Sequence, residues 1–346
     1  MDILKISGSA FEIGQQLGEK GKIAWHTKIK NTDLWKKVFT FKGSKTIFNM
    51  QILVKRHFPD IWQEIVGLAQ GLEDDEMNIF LWNCRGDLLA STSDGCTTIS
   101  GKDDTGNIIV SHNEDGLPNL LNDCFLAEVF QNSGTSFFSF VYPASLCGHT
   151  FSINSFGIVN TVNNLRLKNR QIGLPRQVLA RAALNAESIA SAINILLTPQ
   201  RAGGFHHTLA QIKNGTQRLV SIEATGSQNL IREINHIGFH ANHVIYSNYE
   251  QQIITDSSQA RQTRLKILLD KETELNESLC LKILSDTHDI RLPIYRKDKD
   301  DPDQENTLAS VIYMLKPNKV SWKIFREDRL NPENVGEIVF SSPLSV

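Results

Sequence analysis

The order of the predicted helices and strands limits this chain to a small set of folds. Apolar residues recur at helical spacing through most of the first 90 residues, and a series of short β-rich runs then begins at Cys96. The helices are predicted at 9–40, 45–58, 60–71 and 76–90. The runs lie at 96–100, 107–113, 125–131, 136–142, 149–154 and 157–163. Strands so close together in sequence pair most simply as antiparallel hairpins.

The same succession then repeats, with helices at 175–185 and 187–197 followed by four strands, two helices and three strands. These later elements are predicted at 206–213, 217–224, 228–235, 239–246, 257–270, 275–286, 307–315, 320–326 and 336–340. A charged segment from Arg296 to Glu305 has no periodicity and is predicted to be a mobile loop. Runs of helices and runs of strands in alternation indicate an α+β fold, with two antiparallel sheets and helices on their outer faces.

Composition limits the cellular compartment and the class of partner that can be expected for this chain. The chain has 346 residues and a net charge of −2, so neither a nucleic acid nor a membrane surface is expected as a partner. The N-terminus has no signal-peptide pattern, and no apolar run approaches the roughly 18 residues that span a bilayer. The five cysteines are scattered and form no C-x-x-C pair, which argues against disulfides and a structural zinc site. We expect a cytoplasmic protein.

The stretch Asp94-Gly95-Cys96-Thr97-Thr98 places a thiol between a turn and a strand. If the Gly95–Cys96 bond breaks, Cys96 becomes a chain terminus. It then carries both a nucleophile and a base, because the new α-amino group has a pKa of about 7.7–8.0. The alternative is a buried structural cysteine that follows an ordinary Asp-Gly turn.

A second polar stretch, Ser111 to Gly116, ends the next predicted strand. If the two strands form a hairpin, Asn113 and Asp115 lie beside Cys96; the alternative is a solvated turn. Within the predicted strand 239–246, His240 and His243 point to opposite faces and are not expected to share a metal ion. Asn242 between them is a candidate oxyanion donor, since a buried amide requires partners. His206 and His207 would be the candidate bases of a papain-like Cys/His pair, although the residues around Cys96 do not match that family.

Several motifs occur in the order found in one known family. They are Gly8-x5-Gly14-x3-Gly18, Glu64-x2-Gly67-Leu68-Ala69-x-Gly71, Asp94-Gly95-Cys96-Thr97-Thr98, Asn113-Glu114-Asp115, Asn154-Ser155-Phe156-Gly157-Ile158, Gly173-Leu174-Pro175, Asn242-His243 and Ser258-x2-Arg261-x2-Arg264. With them the chain resembles, over nearly its whole length, the isopenicillin N acyltransferase family (acyl-coenzyme A:6-aminopenicillanate acyltransferase, peptidase family C45).

The resemblance implies an N-terminal-nucleophile hydrolase with a four-layer αββα sandwich, made as a precursor that cuts itself before the cysteine. The cut would divide one integrated domain into residues 1–95, the mostly helical α chain, and 96–346, the β chain with the sheets. The implied catalytic residues are Cys96 as nucleophile, Asp115 beside it and Asn242 in the oxyanion hole. Their neighbours Thr97, Asn113 and Glu114 are expected to contact the substrate. No metal or organic cofactor is implied.

The sequence departs from the family in one visible place. Penicillin-forming members have an aromatic residue at the position of Glu114, which argues against the same apolar pocket here. Arg291 and Arg296 are both candidates for the family's C-terminal arginine. The expected substrate is a small N-acyl amide, such as an N-acyl amino acid or a β-alanyl amine, and a homo-oligomer is compatible with the sequence. Coenzyme A-dependent transfer, a papain-like hydrolase without chain cleavage and a binding module without a reactive thiol stay open as alternatives.

Overall fold

The structure, a computed structural model, describes residues 1–92, 95–169 and 171–340, so Ser93 and Asp94 of the predicted turn lie outside the described residues. The strands are β1 (Ile3–Gly8), β2 (Gly95–Lys102), β3 (Ile108–Gly116), β4 (Phe125–Gln131), β5 (Ser136–Val141), β6 (Phe151–Asn154), β7 (Val159–Asn164), β8 (Phe205–Lys213), β9 (Thr216–Ala224), β10 (Asn229–Glu233), β11 (Gly238–His240), β12 (Asn306–Lys316), β13 (Lys319–Phe325) and β14 (Asn334–Val339). The helices are α1 (Ala10–Thr27), α2 (Asp33–Phe39), α3 (Lys45–His57), α4 (Pro59–Leu72), α5 (Glu76–Asn83), α6 (Arg85–Leu88), α7 (Arg176–Ala183), α8 (Ile189–Leu196), α9 (Asp256–Leu269) and α10 (Glu277–Leu284).

Two sheets face each other, with helices on the outer side of each. The first has eight strands in the order β1-β4-β5-β6-β7-β8-β9-β10, and the second has six in the order β11-β2-β3-β12-β13-β14. Helices α1 and α8 contact the first sheet, while α9 and α10 contact the second. The predicted α+β sandwich with helices on the outer faces is confirmed. One pairing departs from the antiparallel expectation, since β1 and β4 run parallel.

Successive side chains of β2 and β3 point to opposite faces of the second sheet, and this determines which layer each residue of the hairpin contacts. Ile99 and Ile109 pack with the apolar side chains of α9 and α10 in a small outer core. Ile108 and Val110 belong instead to the large core between the layers. Because successive side chains of a strand point to opposite faces, Cys96 shares the face between the sheets, and Thr97 shares the face toward α9 and α10.

Glycines bring α1 and α4 into backbone contact. A Cβ atom at Gly14 would collide with the carbonyl oxygen of Glu64, and one at Gly67 would collide with that of Phe11. The large core joins residues of this helix pair, such as Ile13 and Leu68, to residues of the first sheet. The region before Cys96 and the sheets after it therefore share one apolar interior.

Four chain segments differ from what the sequence predicts. Residues 3–8 form β1, which was not predicted, and the predicted helix 9–40 is divided into α1, a short 3-10 helix and α2. The predicted strand 239–246 ends at His240, and the chain continues without regular structure through Asn242. The charged segment from Arg296 to Glu305 is partly buried, because its acidic and basic side chains pair inside the protein. No helix in the described part of the chain has the length and apolar character to cross a membrane.

Candidate active site

Cys96 is the second residue of β2, at the end of the sandwich, and the register with β3 defines its neighbours. Cys96 lies opposite Glu114, Gly95 opposite Asp115, and Thr97 opposite Asn113. The thiol is almost completely enclosed, with 3% of the residue exposed. The sequence predicts Asn113 and Asp115 beside Cys96 in this hairpin, but their strand parity is opposite to that of Glu114, and Glu114 is the residue that shares the face of Cys96.

The backbone nitrogen of Cys96 is held by the predicted oxyanion residue. Cys96 N–H donates to Asn242 Oδ1 at 2.9 Å, and Arg261 Nη2 donates to the same oxygen at 2.7 Å. Since arginine only donates, these contacts fix which way the amide is turned. Asn242 Nδ2 donates to the Asn164 carbonyl at 3.2 Å, and Arg261 Nη1 donates to the Cys96 carbonyl at 2.5 Å. In this uncut chain Asn242 therefore orients the nitrogen that cleavage would convert into an α-amine.

The sulfur of Cys96 has two polar contacts. The backbone N–H of Asn164 is directed at Sγ, and Glu114 Oε2 lies 3.8 Å away. Burial raises the pKa of the Cys96 thiol well above its usual value, and negative charge on a neighbouring carboxyl group would act in the same direction. The enclosed thiol is thus protonated at neutral pH, and its activation requires a base.

Asp115 is completely buried and has one oxygen without a hydrogen bond from any described residue. Thr307 Oγ1 donates to Asp115 Oδ1 at 2.7 Å, whereas Oδ2 lies 4.0 Å from Arg296 Nη1 and accepts no hydrogen bond. Burial raises the pKa of Asp115 above its usual value, while the charges of Arg296 and Arg261 oppose that rise. A buried carboxylate oxygen of this kind is suited to receive a cation nearby.

A cluster of buried charges lies directly behind Gly95. Arg296 pairs with Glu305 and Asp301, and Arg166 Nη2 lies 2.8 Å from Glu305 Oε1. A Cβ atom at Gly95 would collide with Glu305 Oε2. Burial by itself would lower the pKa of Arg296, but the carboxyl groups of Glu305 and Asp115 raise it above its usual value. Of the two arginines considered from the sequence, Arg296 therefore lies at the site.

The other candidate from the sequence, Arg291, is exposed and lies away from this charge cluster.

Glu114 connects Cys96 to two further side chains. Its Oε2 lies 3.1 Å from His112 Nε2, and Tyr142 O–H donates to its Oε1 at 2.9 Å. One donor atom from each of Cys96, His112 and Glu114 lies within 4.8 Å of the other two, a spacing that could accommodate a metal ion. The sequence predicts no metal here, and the short His112–Glu114 contact has another explanation in a shared proton, developed below.

Thr97 and Asn113 have structural contacts on the face toward α9 and α10. Arg261 Nη1 donates to Thr97 Oγ1 at 3.0 Å. Asn113 Nδ2 donates to the Leu284 and Ile294 carbonyls, and Asn113 Oδ1 accepts from Ser310. These contacts connect the hairpin to the outer layer, and of this trio only Glu114 shares the face of Cys96.

The histidines considered for a Cys/His pair are engaged elsewhere. His206 contacts Asn163 through one ring nitrogen and Ser221 through the other, and His207 Nδ1 contacts Asn160. The histidine near the thiol is His112. Burial lowers the pKa of His112 to about 3, which makes it a weak base at neutral pH.

Sequence reasoning missed four residues that contact the site. His112 could have been found, because it is two positions before Glu114 on the same strand and must share its face. Arg261 was noted only as part of a motif. Tyr142 and Asn164 reach the site from the first sheet, where no local sequence pattern identifies them.

Comparison with known proteins gives consistent matches. A family model described as acyl-coenzyme A:6-aminopenicillanic acid acyl-transferase matches residues 100–328. The chain is 23% identical, over 97% of its length and 95% of the relative's, to the acyl-coenzyme A:6-aminopenicillanic-acid-acyltransferase 40 kDa form of Emericella nidulans. It is also 23% identical to the beta-alanyl-dopamine/carcinine hydrolase of Drosophila melanogaster, in an alignment that spans 56% of each chain.

Proposed function

Since the chain belongs to the acyl-coenzyme A:6-aminopenicillanic acid acyl-transferase family and is an enzyme that acts on amide bonds, we propose that it is an N-terminal cysteine amidohydrolase that activates itself by cutting between Gly95 and Cys96. The nucleophile is the Cys96 thiol, the base is the α-amine that the cut releases, and the acyl group is carried as a thioester.

One observation carries this proposal. The backbone nitrogen of Cys96 is bound by Asn242 Oδ1. Asp115, whose Oδ2 accepts no hydrogen bond from a described residue, lies opposite the preceding residue. An amide nitrogen requires one acceptor, whereas an α-ammonium group has three protons to place. The surroundings of Cys96 N therefore suit the amine of a cut chain better than the amide of an intact one.

Self-cleavage follows from the same geometry. Cys96 Sγ attacks the Gly95 carbonyl carbon, the carbon–nitrogen bond breaks as the nitrogen gains the thiol proton, and a thioester joins Gly95 to Cys96. Water then opens the thioester, which leaves a carboxylate on Gly95 and restores the thiol beside a free amine. Gly95 suits the attacked position because the charge cluster leaves no room there for a side chain.

In turnover the α-amine accepts the thiol proton and the thiolate attacks the substrate carbonyl. The negative oxygen that develops is stabilised by Asn242 Nδ2, which donates to the Asn164 carbonyl in the uncut chain, and by the backbone N–H of Asn164, which is directed at Sγ. The amine product leaves with the proton, and water releases the acyl group. Asp115 orients the α-amine through Oδ2.

The proposed substrate is a small N-acyl amide, of the N-acyl amino acid or β-alanyl-amine type. We favour hydrolysis over transfer to or from coenzyme A because water is always present, whereas an acceptor requires a site of its own. The name of the Drosophila relative specifies hydrolysis, and that of the Emericella relative specifies transfer. Mass spectrometry of a panel of N-acyl amides, with and without coenzyme A, identifies the acyl group and the acceptor.

The partners in this proposal are two chains of one precursor. Residues 1–95 would stay with 96–346 because β1 pairs with β4 and because the α1–α4 pair belongs to the large core. We propose a cytoplasmic enzyme that needs no cofactor, binds neither nucleic acid nor membrane, and is compatible with a homo-oligomer.

Intact-mass measurement and N-terminal sequencing test the proposal. The purified protein should consist of residues 1–95 and 96–346, with the larger chain beginning Cys-Thr-Thr-Ile. Cys96→Ala should give one uncut, inactive chain, and Cys124→Ala, which replaces another buried cysteine, should still be cut. Full activity in a parent protein that stays uncut would refute self-activation and favour the Cys/His alternative.

A further inference from the structure

The protonation state of Glu114, the buried carboxyl group beside Cys96, can be worked out from the direction of hydrogen bonds. A chain of contacts begins at Asn163, which lies on β7 in the opposite sheet. Asn163 Nδ2 donates to the His240 carbonyl at 3.1 Å, so Asn163 Oδ1 is the atom that faces Thr98 Oγ1 at 2.8 Å. An amide oxygen only accepts, and the single proton of the Thr98 hydroxyl is therefore donated to Asn163.

The next contact fixes the tautomer of His112. Thr98 Oγ1 lies 2.8 Å from His112 Nδ1. Because the hydroxyl proton is already used, Thr98 must accept here, and His112 Nδ1 must carry a proton. Burial lowers the pKa of His112 to about 3, so the ring is neutral at neutral pH and has no second proton. His112 Nε2 is then an acceptor.

His112 Nε2 lies 3.1 Å from Glu114 Oε2, and two acceptors cannot form a hydrogen bond with each other. We propose that Glu114 is a neutral carboxylic acid in the resting protein, with its proton on Oε2 and donated to His112 Nε2, and that it is a positioning residue which keeps the surroundings of Cys96 uncharged. Its other oxygen accepts from Tyr142 O–H at 2.9 Å, as the carbonyl oxygen of an acid can. The role in turnover rests on the proposed function; the position of the proton does not.

The proton matters because Sγ of Cys96 is 3.8 Å from Glu114 Oε2. A carboxylate at that distance would oppose formation of the thiolate, whereas a neutral acid does not. An acyl group bound to Sγ would also lie beside the polar, uncharged side chain of Glu114. A neutral Glu114 would offer hydrogen bonds to the acyl group, and it would not supply the negative charge that pairs with the ammonium group of a β-alanyl substrate.

A neutral Glu114 predicts how kcat/KM depends on pH. Among the described residues, the ionisable groups in contact with Glu114 include Cys96 of β2, His112 of β3 and Tyr142 of the segment after β5. Cys124, before β4, lies close enough for the charge of Glu114 to affect it. Loss of the Glu114 proton at alkaline pH would place a negative charge next to the thiol. We expect kcat/KM to fall at high pH for this reason, and Glu114→Gln should lose that alkaline limb because an amide cannot ionise.

The direct test is infrared spectroscopy of the uncut Cys96→Ala protein, with glutamate labelled at the carboxyl carbon. A protonated carboxyl group has a carbonyl stretch separate from that of a carboxylate. The Glu114 band should be present at neutral pH and lost when Glu114→Gln is added, whereas any band of Glu305, whose pKa burial raises to about 7, should stay. Adding Asp115→Asn instead is the matched control and should leave the band. Absence of a Glu114 band overturns the proposal. So does one equivalent of tightly bound zinc in the purified parent protein, since the metal would replace the proton.

The second test compares two substrates with the cut enzyme: a β-alanyl amide and the butyryl amide of the same amine. At neutral pH, Glu114→Gln should reduce kcat/KM for both by no more than about tenfold, the effect of one altered neutral hydrogen bond. A loss of about a hundredfold or more, confined to the β-alanyl substrate and found in KM, would instead identify an ionised Glu114 that binds ammonium. If Cys96→Ala keeps its activity, the proposed function fails while the infrared result stands on its own.

Discussion

Asn242 Oδ1 accepts a hydrogen bond from the backbone nitrogen of Cys96 across 2.9 Å, although the two residues are 146 positions apart in the chain. The contact joins the loop after β11 to the first residues of β2. Arg261 holds the amide in this orientation from α9. The nitrogen that would act as the base is therefore positioned before any cut is made.

Asn242→Ala removes both the acceptor for the Cys96 nitrogen and the proposed oxyanion donor. One oxyanion donor contributes roughly 2.7–4 kcal/mol, so kcat should fall by about 10²–10³ with KM nearly unchanged. The rates must be measured on fully cut protein, because the variant should also mature slowly. Asn242→Asp keeps the acceptor and is the comparison that separates the two roles. If the cut Asn242→Ala enzyme turns over at the parent rate, the oxyanion must be stabilised by backbone N–H groups alone.

Asp115→Asn should impair both maturation and turnover. The amide keeps the size of the side chain but removes the charge that would hold the α-ammonium group, and hydrogen bonds to charged groups contribute about 1.5–3 kcal/mol. We expect each rate to fall by about ten- to a hundredfold. Asp104→Asn, at the exposed turn of the same hairpin, is the control. An Asp115→Asn enzyme that matures and turns over normally would assign Asp115 to folding only.

Gly95→Ala should slow maturation, because the added Cβ atom would collide with Glu305 Oε2 beside the bond to be cut. Overpacking of this kind costs typically about 1–3 kcal/mol, which is about ten- to a hundredfold in rate if it falls on the attack geometry. The fraction of cut chain after expression, followed with time by electrophoresis, measures it. Gly43→Ala is the control for crowding: nothing lies within 4 Å of a Cβ atom there, and the strain from its φ of +76° acts on the backbone of that turn and not on the bond to be cut. Equal maturation of the two variants would contradict the crowding argument.

The acidic limb of the pH profile should belong to the α-amine of Cys96. Because burial raises the pKa of the thiol, the thiol cannot ionise by itself at neutral pH, and only the unprotonated amine can accept its proton. kcat/KM should therefore rise with pH through an apparent pKa of about 7–8, a value shared by the amine–thiol pair. His112→Gln should keep this limb even if the rate falls. Loss of both the limb and the activity in a single histidine variant would favour a Cys/His hydrolase.

Gly67→Ala should destabilise the whole protein, because α1 and α4 approach each other through their backbones and the new methyl group would collide with the Phe11 carbonyl. We expect a loss of about 1–3 kcal/mol in the free energy of unfolding. Urea titration of the uncut Cys96→Ala protein measures it without interference from cleavage. Gln70→Ala, on the exposed side of the same helix, should stay within about 0.5 kcal/mol. Equal stability of the two variants would show that the helices can move apart at no cost.

Where the stabilising contacts are local, the sequence was a good guide to the fold. The predicted strand 125–131 has the bounds of β4, and Ser9 caps α1 through a reciprocal contact with Glu12. β1 could not be found in this way, since its residues pair with β4 more than 100 positions away. The strand is too short and too polar to be recognised without its partner.

The same distinction applies to the site. Hairpin geometry predicted that Asn113 and Asp115 would lie beside Cys96, but which residue shares the face of Cys96 followed only from the register of β2 and β3, and that residue is Glu114. Arg296 and Glu305 were assigned to a mobile loop because so many charges in one segment are typical of solvated chain. Their burial depends on Arg166 and Asp115, which come from other parts of the sequence. Charge compensation between distant segments leaves no local pattern.

The β1–β4 pairing makes the folding of the protein before the proposed cut different from its refolding afterwards. Before the cut, the strand and its partner belong to one polypeptide, and folding is a unimolecular reaction that does not depend on concentration. After the proposed cut, an unfolded molecule would consist of two chains that must meet again, so refolding becomes bimolecular and slows on dilution. Cleavage would thus convert a reversible folding equilibrium into a largely one-way process, in which each molecule has one opportunity to fold correctly before it is cut.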